Sequence, residues 1–156
     1  MMVTESVAVV RKDEDRFDAP QRFLNGRFDL KVSAKENGGS LTIVDTTRTP
    51  RGGPPLHLHH SQEEWFMVVE GRFHFQIGNQ HMTLEAGDSV LGPRGIPHAF
   101  ANVTETDRLL LVFQPSGMME EFFATGSFPP DSEEFREHSR RHGMLVVGPP
   151  LALDER

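Results

Sequence analysis

Residues 53–71 read GPPLHLHHSQEEWFMVVEG, and they contain two histidines followed by a turn and an apolar strand. His57 and His59 are two residues apart, so both imidazoles project to the same face of a strand. A short polar turn, Ser61 to Glu63, separates them from an apolar run that opens with Glu64. A hairpin at this turn would bring the Glu64 carboxylate back beside the two histidines.

A second stretch, residues 87–102, reads GDSVLGPRGIPHAFAN and supplies another histidine, His98, on the strand after Pro97. We expect His98 to close the site from across the sheet. Three neutral imidazoles and one carboxylate suit a borderline divalent metal. The chain has no cysteine, so nitrogen and oxygen must supply every ligand. The sequence therefore predicts one first-row transition metal ion per chain: Fe, Mn, Ni, Co, Cu or Zn.

Length and composition describe one soluble globular domain. The chain has 156 residues, of which 37% are hydrophobic and 25% charged. Its formal net charge is −7, which argues against nucleic acid or an anionic membrane as the main partner. No apolar run is long enough for a signal peptide or a membrane span, so we expect a cytoplasmic protein.

The region around the two stretches reads as a series of short strands. Phe28, Leu30 and Val32 alternate with polar residues, as do Phe73, Phe75 and Ile77. Residues 109–113 are apolar on both sides, which predicts a central strand covered on two faces. Strands at this spacing, with Gly, Pro and Asn turns between them, indicate an all-β sandwich or barrel.

After Pro115 the apolar period becomes helical, with Met118 and Phe122 four residues apart. A second helix is predicted over Asp131–His142, capped by Asp131 and ended by Gly143. We therefore expect a single domain over residues 1–156, with a barrel core at about 27–115 and a helical tail at 116–143. The tail helices could cover one end of the barrel or pack against a second subunit.

Both stretches resemble the two sequence motifs of the cupin family. The first has Gly53-x5-His59, with His57 two residues earlier, Glu64 after four more residues and Gly71 after another six. The second has Gly87-x5-Pro93-x-Gly95-x2-His98-x3-Asn102, fifteen residues further along. The resemblance implies a jelly-roll β-barrel with short C-terminal α-helices and a metal inside. It also carries the ligand roles over to His57, His59, Glu64 and His98.

Four residues are predicted to contact a substrate beside the metal: Phe66, Phe75, Phe100 and Asn102. Phe66 and Phe100 share strand faces with the ligands, and Phe75 belongs to a neighbouring apolar stripe. A phenylalanine-lined opening suits a flat or aromatic small molecule. Part of this set must also be ordinary barrel core, and Asn102 could instead support a turn or a ligand.

Several other polar residues compete for the ligand roles. Glu63 is expected to be a solvated turn residue, and His60 to point to the opposite face from His59. His74 and His81 are expected on the sheet surface. His138 and His142 are four apart on the predicted second tail helix, where an exposed face is expected.

The resemblance implies a metal-dependent dioxygenase of the quercetinase-like group, acting on a flavonol-like or small aromatic substrate. Glu64 would serve both as a ligand and as the catalytic base. Two alternatives stay open: a metal-dependent cyclase or isomerase of polyketide-like rings, and a small-molecule-binding protein without turnover. A homodimer is expected, because the segment up to Arg27 has no evident strand partner in its own chain.

Overall fold

The structure is a computed structural model and describes residues 7–153. Within these residues, two α-helices follow most of the strands: α1 (Met119–Ala124) and α2 (Glu133–Arg141). The strands are β1 (Gln21–Phe23), β2 (Gly26–Val32), β3 (Thr42–Arg48), β4 (Pro55–His59), β5 (Glu63–Glu70), β6 (Arg72–Ile77), β7 (Gln80–Glu85), β8 (Ser89–Gly92), β9 (His98–Asn102), β10 (Asp107–Gln114) and β11 (Met144–Pro150). A short 3-10 helix, Ala34–Glu36, connects β2 to β3.

The strands form two antiparallel sheets that share one core. The first has the order β1-β2-β3-β10-β5-β8, and the second has the order β11-β4-β9-β6-β7. Phe66 of β5 packs against Phe75 of β6 and Phe100 of β9, with ring centroids 5.2 and 5.7 Å apart. These contacts join the inner faces of the two sheets. The predicted all-β jelly roll with short C-terminal helices is confirmed.

Alternation along the strands explains which residues fill the barrel. In β5, Phe66 and Val68 are fully buried, while Trp65 points to the other face and is half-buried. In β10, which lies between β3 and β5, the buried residues also alternate. Leu110 and Val112 of that strand are only half-buried, so β10 is central but one of its faces is less covered than predicted.

The two tail helices cover one end of the barrel. Phe122 and Phe123 of α1 pack on Phe23 of β1, with centroids 5.0 and 5.2 Å apart, and Phe123 also contacts Phe28 at 4.7 Å. The sequence left open whether this apolar face meets the barrel or another subunit, and the rings meet the barrel. The cap of α2 is Ser132 rather than the predicted Asp131, because the Ser132 hydroxyl accepts from the Phe135 amide at 3.1 Å.

Two edges of the fold differ from the sequence-based expectations. β11 was not predicted, and it pairs with β4 at one edge of the five-stranded sheet. β1 pairs with β2, and the Arg16 amide donates to the Leu30 carbonyl at 2.7 Å. The described part of the N-terminal segment therefore has partners within its own chain, and the reason given for a homodimer is wrong.

Among residues 7–153, neither helix has the length and apolar character that a membrane crossing requires.

Candidate metal centre

The four side chains predicted as ligands lie together inside the barrel. β4 turns His57 and His59 inward, and His57 is paired in register with His98 at the start of β9. Glu64, the second residue of β5, reaches them from the opposite sheet. One donor atom from each of the four residues lies within 4.8 Å of all the others, and all four side chains are buried.

The Glu64 carboxylate connects two of the histidines. Its Oε1 lies 3.0 Å from Nε2 of His59 and 3.1 Å from Nε2 of His98. Two ligands bound at right angles to one ion, each about 2.1 Å from it, are about 3 Å apart. These two separations are compatible with a shared metal ion, and all four donor atoms lie within 4.8 Å of one another.

Hydrogen bonds to the outer ring nitrogens orient two imidazoles. The Nδ1 of His57 lies 2.7 Å from the Pro55 carbonyl oxygen, which can only accept. The Nδ1 of His59 lies 3.2 Å from Oε1 of Gln62. Both rings thus carry their proton on Nδ1, and each Nε2 keeps its lone pair for the centre. His98 differs, because its buried Nδ1 has no hydrogen-bond partner among the described residues.

The His98 ring fits tightly against Gly92, the register partner of Glu64. A Cβ added at Gly92 would lie 3.1 Å from Nδ1 of His98 and 3.1 Å from a ring carbon of Phe66. The absence of a side chain at this position therefore lets the imidazole sit beside the carboxylate.

Burial and mutual contact shift the pKa values of this group. Burial lowers the pKa of His57 to about 3, since desolvation disfavours the imidazolium, and the charges of His98 and His59 act in the same direction. Burial alone would raise the pKa of Glu64, but contacts with the imidazoles of His59 and His98 outweigh it and lower this pKa to about 2. An ionised carboxylate beside a neutral His57 imidazole is the protonation state that metal binding requires.

The residues present fit a divalent metal ion. The Nε2 of His59 is buried and forms no well-directed hydrogen bond within residues 7–153, although Glu64 is close. An orphaned buried nitrogen is rare in proteins unless an ion or another group satisfies it. Three nitrogen donors and one carboxylate form a set that first-row divalent ions accept.

The centre opens onto a narrow cavity of about 40 Å³. That volume has room for a few water-sized groups. The lining includes one further charged side chain, Arg48 of β3. Most of the remaining wall consists of phenylalanine rings from the barrel and the tail helices: Phe23, Phe28, Phe100, Phe113, Phe122, Phe123 and Phe135.

Only one of the four predicted substrate contacts, Phe100, lines this cavity. Phe66 and Phe75 are buried in the core on the other side of the His98 ring, which Phe66 contacts at 5.2 Å. Asn102 is fully buried, donates to the Pro50 carbonyl at 2.9 Å and accepts from Asn25 at 3.0 Å. The structure therefore moves the aromatic wall toward α1 and α2.

The competing histidines near the centre lie outside it, as predicted, and His60 is exposed. Glu63 also lies outside the centre, but it is the half-buried first residue of β5 rather than a turn residue and forms an ion pair with Arg94 at 2.6 Å. His81 is exposed, and His74 is a half-buried sheet residue whose Nδ1 lies 2.7 Å from the Thr83 hydroxyl.

The expectation of an exposed face for the two tail histidines is wrong. His138 and His142 are 5% and 8% exposed. His138 stacks on Phe122 at 4.6 Å and donates from Nε2 to the Phe122 carbonyl at 2.8 Å. His138 and His142 share with Phe135 the side of α2 that faces the barrel. The helical spacing of residues 135, 138 and 142 could have predicted their burial.

Sequence reasoning missed two residues beside the centre, Gln62 and Arg48. Gln62 reads as part of a polar turn, yet it is 5% exposed and contacts His59. Arg48 ends β3 on the same inward face as Val44 and Thr46. The alternation of β3 was the available signal for Arg48, whereas no pattern distinguishes Gln62 from its neighbours in the turn.

Comparisons with known proteins agree with the barrel fold. The family model described as Cupin domain matches residues 45–113. An uncharacterized protein of Streptomyces coelicolor is 36% identical over 101 residues, which make up 65% of this chain and 91% of that protein.

A more distant relative has a described activity. Quercetin 2,3-dioxygenase of Bacillus subtilis is 24% identical over 143 residues, covering 86% of this chain but 42% of that protein. The chain therefore spans less than half the length of this relative. Among solved structures, KdgF from Halomonas sp. superimposes with a TM-score of 0.59 at 15% identity, over 70% of this chain and 94% of the other. At that identity the likeness shows a shared fold alone.

Proposed function

This chain belongs to the cupin family, and from that premise we propose that His57, His59, Glu64 and His98 bind one divalent first-row metal ion. The observation that carries the proposal is the buried Nε2 of His59, which has no well-directed hydrogen bond yet lies in a cluster of donors only 4.8 Å across. Fe, Mn, Ni, Co, Cu and Zn all accept this donor set.

We further propose that the protein is an oxidoreductase of the dioxygenase type, acting on a small molecule with a phenol or enol group. The likeness to quercetin 2,3-dioxygenase over 86% of the chain supports this reaction class. When bound, the metal would stabilise the substrate anion as a Lewis acid and, if redox-active, support reaction with O₂.

The protein's own groups have separate roles in this proposal. Glu64 is ionised and is the acceptor for the substrate's acidic proton when its contact with His59 or His98 opens. Phe100 provides a flat apolar surface against the substrate. Phe66 and Phe75 support His98 and Phe100 from behind rather than touching the substrate.

Cavity size favours a small substrate. The space of about 40 Å³ is closed on one side by Phe122 and Phe123 of α1. A molecule with more than a few non-hydrogen atoms enters only if α1 moves outward.

The test is to reconstitute chelated protein with each candidate metal and to measure oxygen uptake and product formation with catechols, flavonols and small enolisable ketones. We expect oxygen uptake with at least one redox-active metal and its loss in Glu64→Gln. Substrate conversion without oxygen uptake would point to the cyclase or isomerase alternative. Saturable binding without conversion would point to a binding protein, and either result overturns the dioxygenase proposal.

The homodimer and the cytoplasmic location remain proposals. Leu145 and Val147 are 43% and 44% exposed on the outer face of β11, the edge strand beside β4, and this apolar surface supports a subunit contact. Light scattering should give twice the chain mass for the natural protein and the chain mass for Leu145→Ser/Val147→Ser. A monomer at micromolar concentration would reject the dimer.

A further inference from the structure

Arg48 is a completely buried guanidinium without a carboxylate partner. Its relative exposure is 0%, and no Asp or Glu among the described residues forms an ion pair with it. Its Nη1 donates to the Thr46 hydroxyl at 3.3 Å, and its Nη2 donates to the amide oxygen of Asn25. Its Nε has no partner in the described part of the chain.

Arg108, another buried arginine, differs from Arg48 because it has a carboxylate partner. The Nε of Arg108 lies 2.8 and 2.9 Å from the two carboxylate oxygens of Asp45, and Asp13 lies nearby at 3.6 Å. Those charges raise the pKa of Arg108, whereas desolvation lowers the pKa of Arg48 to about 9. An unpaired buried charge is costly, and an apolar side chain would fill the position of Arg48 without that cost.

Arg48 lines the same cavity as His57 and Glu64. Its guanidinium lies 5.1 Å from the ring centroid of Phe100 and 5.6 Å from that of Phe28. The two rings restrict its flat faces, so an incoming group meets the edge of the guanidinium, where its N–H donors project. Phe100 is only two residues from His98, which places the cation and the metal centre along one wall.

A chain of amides holds the guanidinium in place. The Asn25 amide nitrogen donates to the Pro50 carbonyl at 2.7 Å and to Oδ1 of Asn102 at 3.0 Å, which leaves its oxygen facing Arg48. All these partners are neutral. The network therefore orients the positive charge without neutralising it.

We propose that Arg48 binds a carboxylate group of the substrate, so that the substrate is a small organic acid held between this guanidinium and the metal centre. The guanidinium edge offers parallel donors that match the two oxygens of a carboxylate. That the substrate's other end lies at the metal depends on the proposed function. The carboxylate site depends only on the surroundings of Arg48.

The experiment compares matched charged and neutral ligands by calorimetry in low-chloride buffer. Acetate is paired with acetamide, and benzoate with benzamide. Natural protein, Arg48→Met and Arg48→Lys are each titrated as purified, with their metal content measured, and again after chelation. Asp45→Leu/Arg108→Met is the matched control, because it removes a buried arginine together with its carboxylate partner.

In natural protein we expect at least one carboxylate to bind about tenfold or more tightly than its amide, which corresponds to a difference of about 1.4 kcal/mol. The preference should vanish in Arg48→Met, fall in Arg48→Lys because the ammonium lacks the planar fork, and persist in Asp45→Leu/Arg108→Met. The unfolding midpoint of Arg48→Met should equal or exceed that of natural protein, since the substitution removes an uncompensated charge.

Two results would overturn the inference: no carboxylate preference in natural protein, or the same preference in Arg48→Met. If Arg48→Met does not fold, an unchanged preference in Arg48→Lys is the overturning result. The chelated samples separate this inference from the metal proposal. A preference that depends on Arg48 and survives chelation supports the carboxylate site even if the centre binds no metal. A preference that chelation abolishes while Arg48→Met retains it means that the metal binds the carboxylate.

Discussion

His59 and Gln62 are linked by a hydrogen bond from Nδ1 of the imidazole to Oε1 of the amide, at 3.2 Å. The amide nitrogen of Gln62 donates to the carbonyls of Pro115 and Ser116 at 2.9 and 2.6 Å. Because those carbonyls fix which end of the amide is nitrogen, they also fix the proton of His59 on Nδ1. The loop after β10 thereby controls which nitrogen His59 presents to the centre.

Replacing Gln62 by Leu should weaken metal binding by about 10- to 100-fold, because His59 loses the acceptor that orients it. Competition with a chelator of known affinity measures this change. Gln62→Asn is the control: it keeps an amide, with an acceptor for His59 and a donor for the carbonyls, and should lose less affinity than Gln62→Leu. Equal affinity in the leucine variant and the natural protein would show that Gln62 has no orienting role.

A substitution at Gly117 should disturb the same contact from the other side. A Cβ at Gly117 would lie 2.6 Å from the Gln62 amide nitrogen, and the residue has a φ of 54°. Gly117→Ala should therefore lower both the unfolding midpoint and the metal affinity. Gly87→Ala is a matched control, because Gly87 has a φ of 93° but no atom within 4 Å of an added Cβ. It should lower stability while leaving metal affinity unchanged, and equal affinity losses in both variants would contradict this account.

The stability of the chelated protein should fall as the pH falls below about 6.5. The folded-state pKa of His57 is about 3, below its ordinary 6.5, so the unfolded chain binds its proton first. Between pH 7 and pH 5 this difference should remove about 2 kcal/mol from the free energy of unfolding. Above pH 5 the low pKa of Glu64 contributes little, since its ordinary value is 4.5.

Urea unfolding at pH 7 and pH 5 measures this fall. His57→Gln removes the titrating group and should show a smaller decrease than the natural chain. His138 has a pKa lowered by burial and acts in the same direction, so some decrease should remain. An identical decrease in the variant and the natural protein would assign the effect to groups other than His57.

The pair between Asp45 and Arg108 joins neighbouring strands β3 and β10 and is buried, with side chains 8% and 7% exposed. Asp45→Ala should cost about 3–5 kcal/mol, because it leaves the guanidinium buried without its carboxylate. Urea unfolding measures the loss. The double variant Asp45→Leu/Arg108→Met should cost less than Asp45→Ala alone, and a larger loss in the double variant would contradict the desolvation argument.

The strand pattern and the shared face of His57 and His59 were predictable from sequence because both follow from periodicity. Glu64 and His98 were added by the expected hairpin and by the resemblance to the two cupin motifs. The two-residue spacing of His57 and His59 places both rings on one face wherever the strand lies. The burial of Phe66 and Val68 follows from the same alternation, which needs no knowledge of the partner strand.

β11 was not predicted because its sequence does not alternate between apolar and polar residues. Met144 and Val146 point inward, but Leu145 and Val147 between them are also apolar, so no alternation is visible. The following Gly148-Pro149-Pro150 reads as a loop. Proline is tolerated in β11 because the strand lies at a sheet edge, and edge position is a property of the tertiary fold.

The cavity wall was only partly predictable because it depends on how distant elements meet. Phe100 was found from its spacing to His98, whereas Phe122 and Phe123 reach the site only because α1 folds back over β1. The alternation of β3 indicates that Arg48 faces inward, but it does not show what covers the side chain. Its burial follows from Phe28 on the neighbouring strand β2 and from Phe100 on β9 of the opposite sheet.

Whether the four buried side chains hold a metal ion is decided by mass spectrometry of dialysed protein, with His57→Ala/His98→Ala as the comparison. We predict about one first-row divalent ion per chain in the natural protein and essentially none in the double variant, whose folding is checked by circular dichroism. Natural protein that contains no such ion, and whose unfolding midpoint rises with none of Fe, Mn, Ni, Co, Cu or Zn, would contradict the account.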